Sequence, residues 1–320
     1  MPRACLASLR RRGVLSEDRR VKTHHIIYFG DSAASLRAHV PDASIQLMVT
    51  SPPYWNVRDY GHPDQIGFGQ SLDEYLADLN EVWKEVVRTL LPDGKLALNI
   101  GNIYYSEADE KRRTTANLTL LLWEQLQRFD ELRFMGTIYW AKTTSRAGAV
   151  LFGSYPYPSN FMISNAVEPI FVFRKVGTRA VPPEVKEASK ITKEEFRECR
   201  DALWTINGAA SDKHSAAFPV ELPRRLIRMY SFVGDTILDP FLGSGTTARA
   251  ALELGRNSVG VEINREFLTL MQEKIGFGPE RLVTDCEVEV EIIETGFGRS
   301  ARTSGKDQDT LPAPHSPLQT

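Results

Sequence analysis

Residues 236–247, TILDPFLGSGTT, run from a buried strand through a glycine turn into the start of a helix. The apolar run up to Phe241 is typical of a buried strand, and Gly243 and Gly245 allow a tight turn before the helix that begins at Thr246. A strand followed at once by a helix is the repeating unit of open α/β sheets. N–H groups at such a turn can approach a bound ligand closely, so the stretch predicts a ligand site at the carboxyl end of a parallel strand.

Strand and helix patterns alternate on both sides of this stretch. A capping box formed by Ser71 and Glu74 opens a helix with apolar residues at helical spacing up to Leu90, and a stop at Pro92-Asp93-Gly94 follows. Further helices are predicted at 117–128 and 221–231. The predicted strands are 24–31, 45–55, 95–102, 136–142, 168–175, 236–241 and 258–264. The sequence therefore predicts the α/β class, with a doubly wound, mostly parallel, seven-stranded sheet.

The glycine turn indicates a nucleotide-like ligand. Gly243-x-Gly245-x-x-Ala248 fits the loose dinucleotide pattern, and Glu262 follows Gly243 by 19 residues, at the end of the next strand, where it can bind ribose hydroxyls. A nucleoside triphosphate is disfavoured because no lysine precedes the Ser or Thr of the turn. Dinucleotides and S-adenosylmethionine (SAM) stay open, and the spacing alone also fits tight strand-to-helix packing.

A second motif, Thr50-Ser51-Pro52-Pro53-Tyr54-Trp55, ends another predicted strand. Two prolines fix the backbone and remove two N–H donors, which leaves carbonyls and the Ser51 hydroxyl to accept hydrogen bonds from a ligand amino group. Tyr54 and Trp55 add flat faces beside these acceptors. The motif predicts a site for a planar ring that bears an exocyclic amine.

Composition restricts the function classes further. The chain has 320 residues, 42% of them hydrophobic and 25% charged, and 39 basic against 41 acidic side chains give a formal charge of −2. We therefore expect no general basic coat for nucleic acid, no membrane span and, from a basic start without an apolar run, a cytoplasmic protein. Neither the three distant cysteines nor the six histidines have metal-ligand spacing, so no metal site is expected.

TSPPYW together with DPFLGSGTT resembles the amino-group DNA methyltransferases, in particular those that methylate the exocyclic nitrogen N4 of cytosine. The resemblance covers about residues 24–275, in the beta order of motifs, with 188 residues between Ser51 and Asp239. It implies a Rossmann-like SAM-dependent fold, double-stranded DNA as partner and membership of a restriction-modification system, with a nuclease that acts on the same site without direct contact. A monomer or a homodimer is expected.

The resemblance also assigns residues. The catalytic segment is Ser51, Pro52, Pro53 and Tyr54. Gly30-Asp31 is similar to the family's cofactor-adenine motif, and His214 with Phe218-Pro219 is similar to the segment that closes over the methionine end. The cofactor-binding residues are Asp31, His214, Phe218, Pro219, Asp239, Pro240, Phe241, Gly243, Ser244, Gly245, Thr246 and Glu262.

Several alternatives compete with this interpretation. Serine at the head of the tetrapeptide favours cytosine, whereas adenine enzymes more often carry Asp or Asn there. Ring-carbon methylation would need a cysteine nucleophile, typically after proline, and Cys5, Cys199 and Cys286 do not follow one. Adenine N6, another amine substrate and a non-catalytic DNA-binding module stay open as alternatives.

DNA contacts are predicted from charge and from position near the motif. Residues 141–179 carry five basic side chains against Glu168, a local charge of +4 that the overall balance hides, and Arg58 lies in a glycine-rich segment after the tetrapeptide. The predicted DNA-binding residues are Trp55, Arg58, Lys142, Arg146 and Arg179. Target recognition is expected in 143–165 and in 177–213, a Pro-rich and charged insertion in which no buried strand is expected.

The two ends differ from the middle in composition. Residues 1–22, with seven basic against two acidic side chains, are expected to form a flexible basic arm, and 298–320 a disordered tail. The domain between them is expected to span 23–297. Near its end, apolar residues from Cys286 to Ile292 alternate with glutamates, which predicts a strand at a protected sheet edge.

Overall fold

The computed structural model describes residues 22–106, 113–142, 157–158, 163, 165–208, 218–276 and 287–295. Its strands are β1 Lys22–Phe29, β2 Ile45–Thr50, β3 Leu90–Asn99, β4 Ile103–Ser106, β5 Arg113–Ala116, β6 Leu132–Lys142, β7 Val167–Lys175, β8 Leu203–Ile206, β9 Thr236–Asp239, β10 Asn257–Glu262 and β11 Glu287–Glu294. Its helices are α1 Ser32–His39, α2 Leu72–Thr89, α3 Leu118–Gln127, α4 Pro183–Ala188, α5 Lys193–Arg200, α6 Glu221–Tyr230, α7 Thr246–Glu253 and α8 Leu268–Met271.

Among the described residues, one sheet of nine strands has the order β11-β1-β10-β9-β2-β3-β7-β6-β8, and β4 and β5 form a separate hairpin. Only β7 is antiparallel to its neighbours β3 and β6, and every other pair in the large sheet is parallel. The predicted α/β class with a mostly parallel sheet is confirmed. The predicted count of seven strands is wrong by two, because β11 and β8 extend the sheet at its two edges.

Helices cover both faces of this sheet, as a doubly wound fold requires. One face packs against α1, α2 and α3 through a cluster that includes the fully buried Trp83 and Tyr75. The other face packs against α6 and α7 through a cluster that includes Leu226 and Ala250. With both faces buried, the central strands are almost wholly apolar, which is why β2 is buried at all six positions.

Helix α2 shows how the sequence sets the boundaries of an element. The predicted capping box is present, since the Ser71 side chain accepts from the Glu74 N–H and the Glu74 side chain accepts from the Ser71 N–H. The helix ends at Thr89, three residues before the predicted stop, and β3 begins at once. Lys175 stabilises this end, because its Nζ donates to the carbonyls of Val87 at 2.6 Å and Leu90 at 2.8 Å.

Residues 177–208 of the predicted insertion are described and contain two short helices and one strand. The expectation of no buried strand is wrong, because β8 joins the sheet beside β6 and buries Trp204 and Ile206. The alternation of exposed and buried residues in β8 covers only the four residues LWTI. A pattern this short is hard to recognise next to a charged run. The preceding helices pack away from the carboxyl edge of the sheet: Arg228 of α6 pairs with Glu195 of α5 at 3.6 Å.

The predicted edge strand near the chain's end is confirmed as β11, which pairs in parallel with β1. Glu289 and Glu291 are exposed and lie near Lys22 and His24, at 3.3 and 3.6 Å. Cys286 lies outside the described residues, as do 1–21 of the predicted arm and all of the predicted tail. No helix among the described residues is long and apolar enough to cross a membrane.

Candidate active site

A cavity of about 460 Å³ opens at the carboxyl edge of the sheet, where β1, β2, β9 and β10 end. It brings together the two motifs that lie far apart in the sequence, since Ser51 and Asp239 both line it. Adjacent strands β2 and β9 place them side by side. The predicted cofactor and catalytic residues that line the cavity are Asp31, Ser51, Pro52, Pro53, Tyr54, Phe218, Asp239, Pro240, Phe241, Gly243, Ser244, Thr246 and Glu262.

Asp239 ties the two motifs together. Its carboxylate accepts hydrogen bonds from the hydroxyls of Thr50 and Thr247, both at 2.6 Å, and from the N–H of Phe241 at 3.1 Å. Burial raises the pKa of this carboxyl to about 6, although the three hydrogen bonds pull the pKa in the opposite direction. Asp239 therefore fixes the strand ends on both sides of the cavity.

Glu262 lies at the end of β10 and holds the glycine turn. Its carboxylate accepts from the N–H of Gly243 at 2.7 Å and from the N–H of Asn264 at 2.9 Å. Burial raises the pKa of Glu262 to about 7, so a proton on this carboxyl is retained close to neutrality. Asp31 stands at the end of β1 and caps α1 by accepting from the Ala34 N–H at 2.9 Å.

The two glycines of the turn have different tasks. Both have left-handed backbone conformations, with φ of 53° at Gly243 and 81° at Gly245. Gly243 lines the cavity, whereas a Cβ on Gly245 would lie 2.8 Å from the side chain of Ile275. Gly245 is thus needed for packing behind the turn, and the prediction that it binds the cofactor is not supported by its position.

The proline-locked segment is held by hydroxyl groups. Tyr75 donates to the carbonyl of Pro53 at 2.8 Å, and the Gly101 N–H donates to the phenolic oxygen of Tyr54 at 3.1 Å. The Ser51 side chain lies beside Tyr54, and their interaction lowers the pKa of Tyr54 in opposition to burial. Because burial raises the pKa of Tyr54 well above its usual value, the phenol stays neutral, and Ser51 is oriented by a neighbour that carries no charge.

A loop after the tetrapeptide supplies cavity residues that the sequence did not reveal. Gln65 accepts from the Tyr60 N–H at 2.5 Å and donates to Asp59 at 2.6 Å, and Asn264 donates to the Tyr60 carbonyl at 2.7 Å. Its polar residues between glycines indicated a loop, but only the fold places them at the cavity. The lining residues that were missed include Ser32, Asp59, Tyr60, Gly61, Gln65, Ile66, Asn264, Glu266, Phe267 and Leu270.

Two predicted DNA-binding residues follow the tetrapeptide closely in sequence. The structure places Arg58 in the cavity lining but not Trp55. The indole N–H of Trp55 donates to the Gln70 carbonyl at 2.7 Å and its ring packs edge-on against Tyr105. Trp55 therefore anchors the loop. Pro219 lies outside the cavity lining, and His214 falls outside the described residues.

The predicted basic patch of residues 141–179 does not form one surface. Lys142 lies at the carboxyl edge, where its ammonium pairs with Glu168 and lies 4.8 Å from the Trp140 ring. Arg179 is wrong as a DNA contact, because it bonds Gln46 and the buried Asp235 at the opposite edge of the sheet. Arg174 and Lys175 also point to that edge, and Arg146 lies outside the described residues.

These features define an α/β enzyme that binds a nucleotide-like cofactor beside a pocket for a planar amine. Within the part of the chain that the structure describes, no cluster of three His, Cys, Asp or Glu side chains is placed to hold a metal ion. The hydrogen-bond donors and acceptors that line the cavity suit a nucleoside ligand. Such a ligand has ribose hydroxyls at one end and a small polar group at the other.

Comparisons with known proteins agree with that class. A model of the DNA methylase family matches residues 45–273. The Type II methyltransferase M.MjaI of Methanocaldococcus jannaschii is 35% identical over 84% of this chain and 97% of its own length. M.SmaI of Serratia marcescens, also a Type II methyltransferase, is 31% identical over 78% of this chain and 90% of its own length.

Solved structures give the same result. TTHA0409 of Thermus thermophilus, described as a DNA modification methylase and crystallised with SAM, matches at 31% identity and a TM-score of 0.68, over 86% of this chain and 100% of that one. The PvuII DNA methyltransferase shares the fold, with a TM-score of 0.58 at 22% identity over 84% of this chain and 92% of its own. The chain belongs to the DNA methylase family, and it is a SAM-dependent DNA methyltransferase of the amino-group type.

Proposed function

We propose that the protein transfers a methyl group from SAM to the exocyclic N4 of a cytosine in double-stranded DNA. The observation that carries this proposal is the place of Ser51, which heads the tetrapeptide, lines the cavity and lies beside the neutral Tyr54. Among the amino-group DNA methyltransferases that the two motifs resemble, serine at the head of the tetrapeptide favours cytosine over adenine. The three cysteines follow Ala4, Glu198 and Asp285, which disfavours a ring-carbon mechanism.

The chain's residues prepare the target amine. The lone pair of a cytosine amino group is delocalised into the ring, so the site must localise it. Ser51 Oγ and the Pro52 carbonyl are the acceptors for the two amino hydrogens, and the serine proton can turn toward the neighbouring Tyr54 and away from the amine. The amine can then become more tetrahedral, and after transfer it loses one proton to return to neutrality.

SAM, when bound, supplies a methyl group on a positively charged sulfur. Aromatic faces near the tetrapeptide favour such a cation, and Tyr54 and Phe241 both line the cavity. Phe241 is held in place by an edge-on contact with the buried Trp83, at 6.2 Å between ring centroids. Asp31 and Glu262 are the residues for the adenosine end, and Ser244, Thr246 and Phe218 are those for the methionine end.

We further propose that the target cytosine leaves the duplex stack, because a base that is still stacked within the duplex cannot enter a cavity at the end of a sheet. Arg58 is our candidate for a contact to DNA at the cavity mouth. Target recognition is proposed for 143–165 and for the segment after β8, since α5 pairs with α6 instead, through Glu195 and Arg228. In a restriction-modification system the protein would protect DNA from a separate nuclease, as a monomer or homodimer.

The test is methyl transfer from labelled SAM to unmethylated bacterial DNA, followed by digestion to nucleosides and mass spectrometry. N4-methylcytosine in the product, absent with Ser51→Ala, is the expected result. N6-methyladenine would keep the amine mechanism and overturn the choice of base. Measurable SAM binding without transfer to DNA of varied sequence would overturn the proposal in favour of another amine substrate or a non-catalytic role.

A further inference from the structure

Lys274 lies directly behind the glycine turn, in the turn of π-helix that follows α8. Its ammonium donates to the hydroxyl of Ser244 at 2.5 Å and to the hydroxyl of Thr246 at 3.1 Å. Both hydroxyls belong to residues that line the cavity, whereas Lys274 does not line it. The lysine therefore reaches the cofactor site through two side chains that a ligand can touch.

The charge of Lys274 has no acidic counterpart among the described residues. Its two hydrogen-bond partners are neutral hydroxyls, and the charged side chain that lowers its pKa is another cation, Arg249. Burial and this repulsion lower the pKa of the lysine. A cation that is partly removed from water without a counter-ion costs free energy, so this site favours an incoming anion.

Surrounding groups reinforce the preference for an anion. Thr246 is the first residue of α7, so the positive end of a helix points toward the same place. The carboxylates proposed for the adenosine end, by contrast, stand on other strands: Asp31 follows β1 and Glu262 ends β10. An ammonium that pairs with no acid among the described residues thus stands behind two hydroxyls of the cavity wall.

SAM has matching ends. Its ribose hydroxyls and adenine amine are donors that suit carboxylates, and its amino-acid end carries a carboxylate. We infer that Lys274 is a positioning and specificity residue for that carboxylate, acting through the hydroxyls of Ser244 and Thr246, which its ammonium orients and polarises. The lysine makes the enzyme select an adenosyl cofactor that carries the amino-acid carboxylate over one that lacks it.

The experiment compares two ligands by isothermal titration calorimetry without DNA, so its outcome does not depend on which base is methylated. SAM and decarboxylated SAM are each titrated into the wild-type protein, Lys274→Met and Lys274→Arg. Lys84→Met is the matched control, because Lys84 is an exposed lysine on α2 that pairs only with its helix neighbour Glu81. Thermal unfolding of each variant is measured in parallel.

For the wild type we expect SAM to bind at least about tenfold more tightly than decarboxylated SAM. Lys274→Met should lose about tenfold in affinity for SAM and leave the affinity for decarboxylated SAM unchanged. Lys274→Arg and Lys84→Met should keep the wild-type preference. Equal losses for both ligands would show that the lysine only supports the turn and would overturn the inference.

A wild-type protein that binds both ligands equally would also overturn it. That comparison needs no variant, so the inference stays testable even where Lys274→Met unfolds.

Discussion

The two halves of the cavity are built from different chemistry. The cofactor half, at the ends of β1, β9 and β10, is held by the carboxylates of Asp31, Asp239 and Glu262, each bonded to backbone N–H groups. The target half, from Ser51 through the loop to Ile66, places Ser51 and the half-buried Tyr54, which stays neutral, beside the target position, and its charged residues Arg58 and Asp59 stand on the loop. A cationic cofactor rich in hydroxyls suits acids, whereas a neutral base amine can be held by acceptors that carry no full charge.

This contrast shows that neighbouring parts of one sheet edge can have different tasks. One part binds the cofactor, and the other part holds the amine that is methylated. Asp239 bridges the halves, since it accepts from Thr50 beside Ser51 and from Thr247 in α7, and Asn264 bridges them again by donating to the Tyr60 carbonyl. Changes in the target half should therefore alter transfer, and changes in the cofactor half should alter cofactor affinity. Four predictions test how far the separation holds.

The largest effect is expected for Ser51→Ala. Loss of one acceptor for the target amine should lower kcat by about two to three orders of magnitude, similar to the loss of a preorganised group in other active sites. Single-turnover methyl transfer at saturating SAM is the measurement. A fall of less than about threefold would mean that the Pro52 carbonyl suffices and that Ser51 is not part of the chemistry.

Arg179→Ala should affect stability and leave DNA binding unchanged. The substitution leaves the buried Asp235 without its ion-pair partner, so the free energy of unfolding should fall by about 2 kcal/mol. Urea unfolding measures the loss, and filter binding to duplex DNA at two salt concentrations checks affinity. Arg58→Ala is the comparison, with reduced DNA affinity and normal stability. Reversal of the two phenotypes would restore Arg179 as a DNA contact.

The buried acids of the cofactor half should make stability depend on pH. Folded Glu262 has a pKa of about 7 and folded Asp239 about 6, both above the ordinary values of 4.5 and 3.8. Between the ordinary and the raised pKa, the folded state holds protons that the unfolded chain has released. The contribution of these two acids to stability should therefore be highest below about pH 4 and should fall as pH rises toward about 7, by about 1 kcal/mol per pH unit for each acid.

Glu262→Gln is the control for this pH dependence. The variant should flatten the fall between about pH 5 and pH 7, because an amide has no proton to lose there. Urea unfolding of the cofactor-free protein across this range gives the slope. An unchanged slope in Glu262→Gln would place the titrating proton on another group.

Tyr54→Phe should have the smallest effect. The ring face remains, but the hydrogen bond from Gly101 and the interaction of the hydroxyl with Ser51 are lost, at about 1 kcal/mol in the transition state and thus about a fivefold lower kcat. The fall in kcat is measured by steady-state kinetics in which the concentrations of SAM and DNA are varied in turn. A KM for SAM that rises with no change in kcat would contradict the assignment of Tyr54 to the target half.

Sequence patterns predicted the cofactor half well and the target half only in part. TILDPFLGSGTT and Glu262 can be recognised from short stretches of sequence. Their functional groups lie within a few residues of the end of a strand or turn, and the local pattern already marks those ends. The same locality made TSPPYW recognisable. Both motifs could therefore be assigned to one cavity before the fold was known.

Contacts between distant segments are what the sequence did not reveal. Nothing near Tyr60 indicates that Asn264 will bond its carbonyl, and nothing near Lys274 indicates that it lies behind Ser244. The net charge of residues 141–179 also gave no guide to the position of Arg179, because a net charge takes no account of strand direction. Strand β7 runs antiparallel and carries its basic end to the far edge of the sheet. Direction within the sheet, and not the charge of a segment, decides at which edge of the sheet a basic residue lies.

The separation of binding from chemistry is tested most directly by SAM titrations of Ser51→Ala and Glu262→Ala beside the wild type, in calorimetry without DNA. We predict the wild-type Kd for Ser51→Ala and a Kd at least about tenfold weaker for Glu262→Ala, which loses the acid that holds Gly243 and that we propose for the ribose. Weakened SAM binding in Ser51→Ala, or unchanged binding in Glu262→Ala, would contradict the division of the cavity into a cofactor half and a target half.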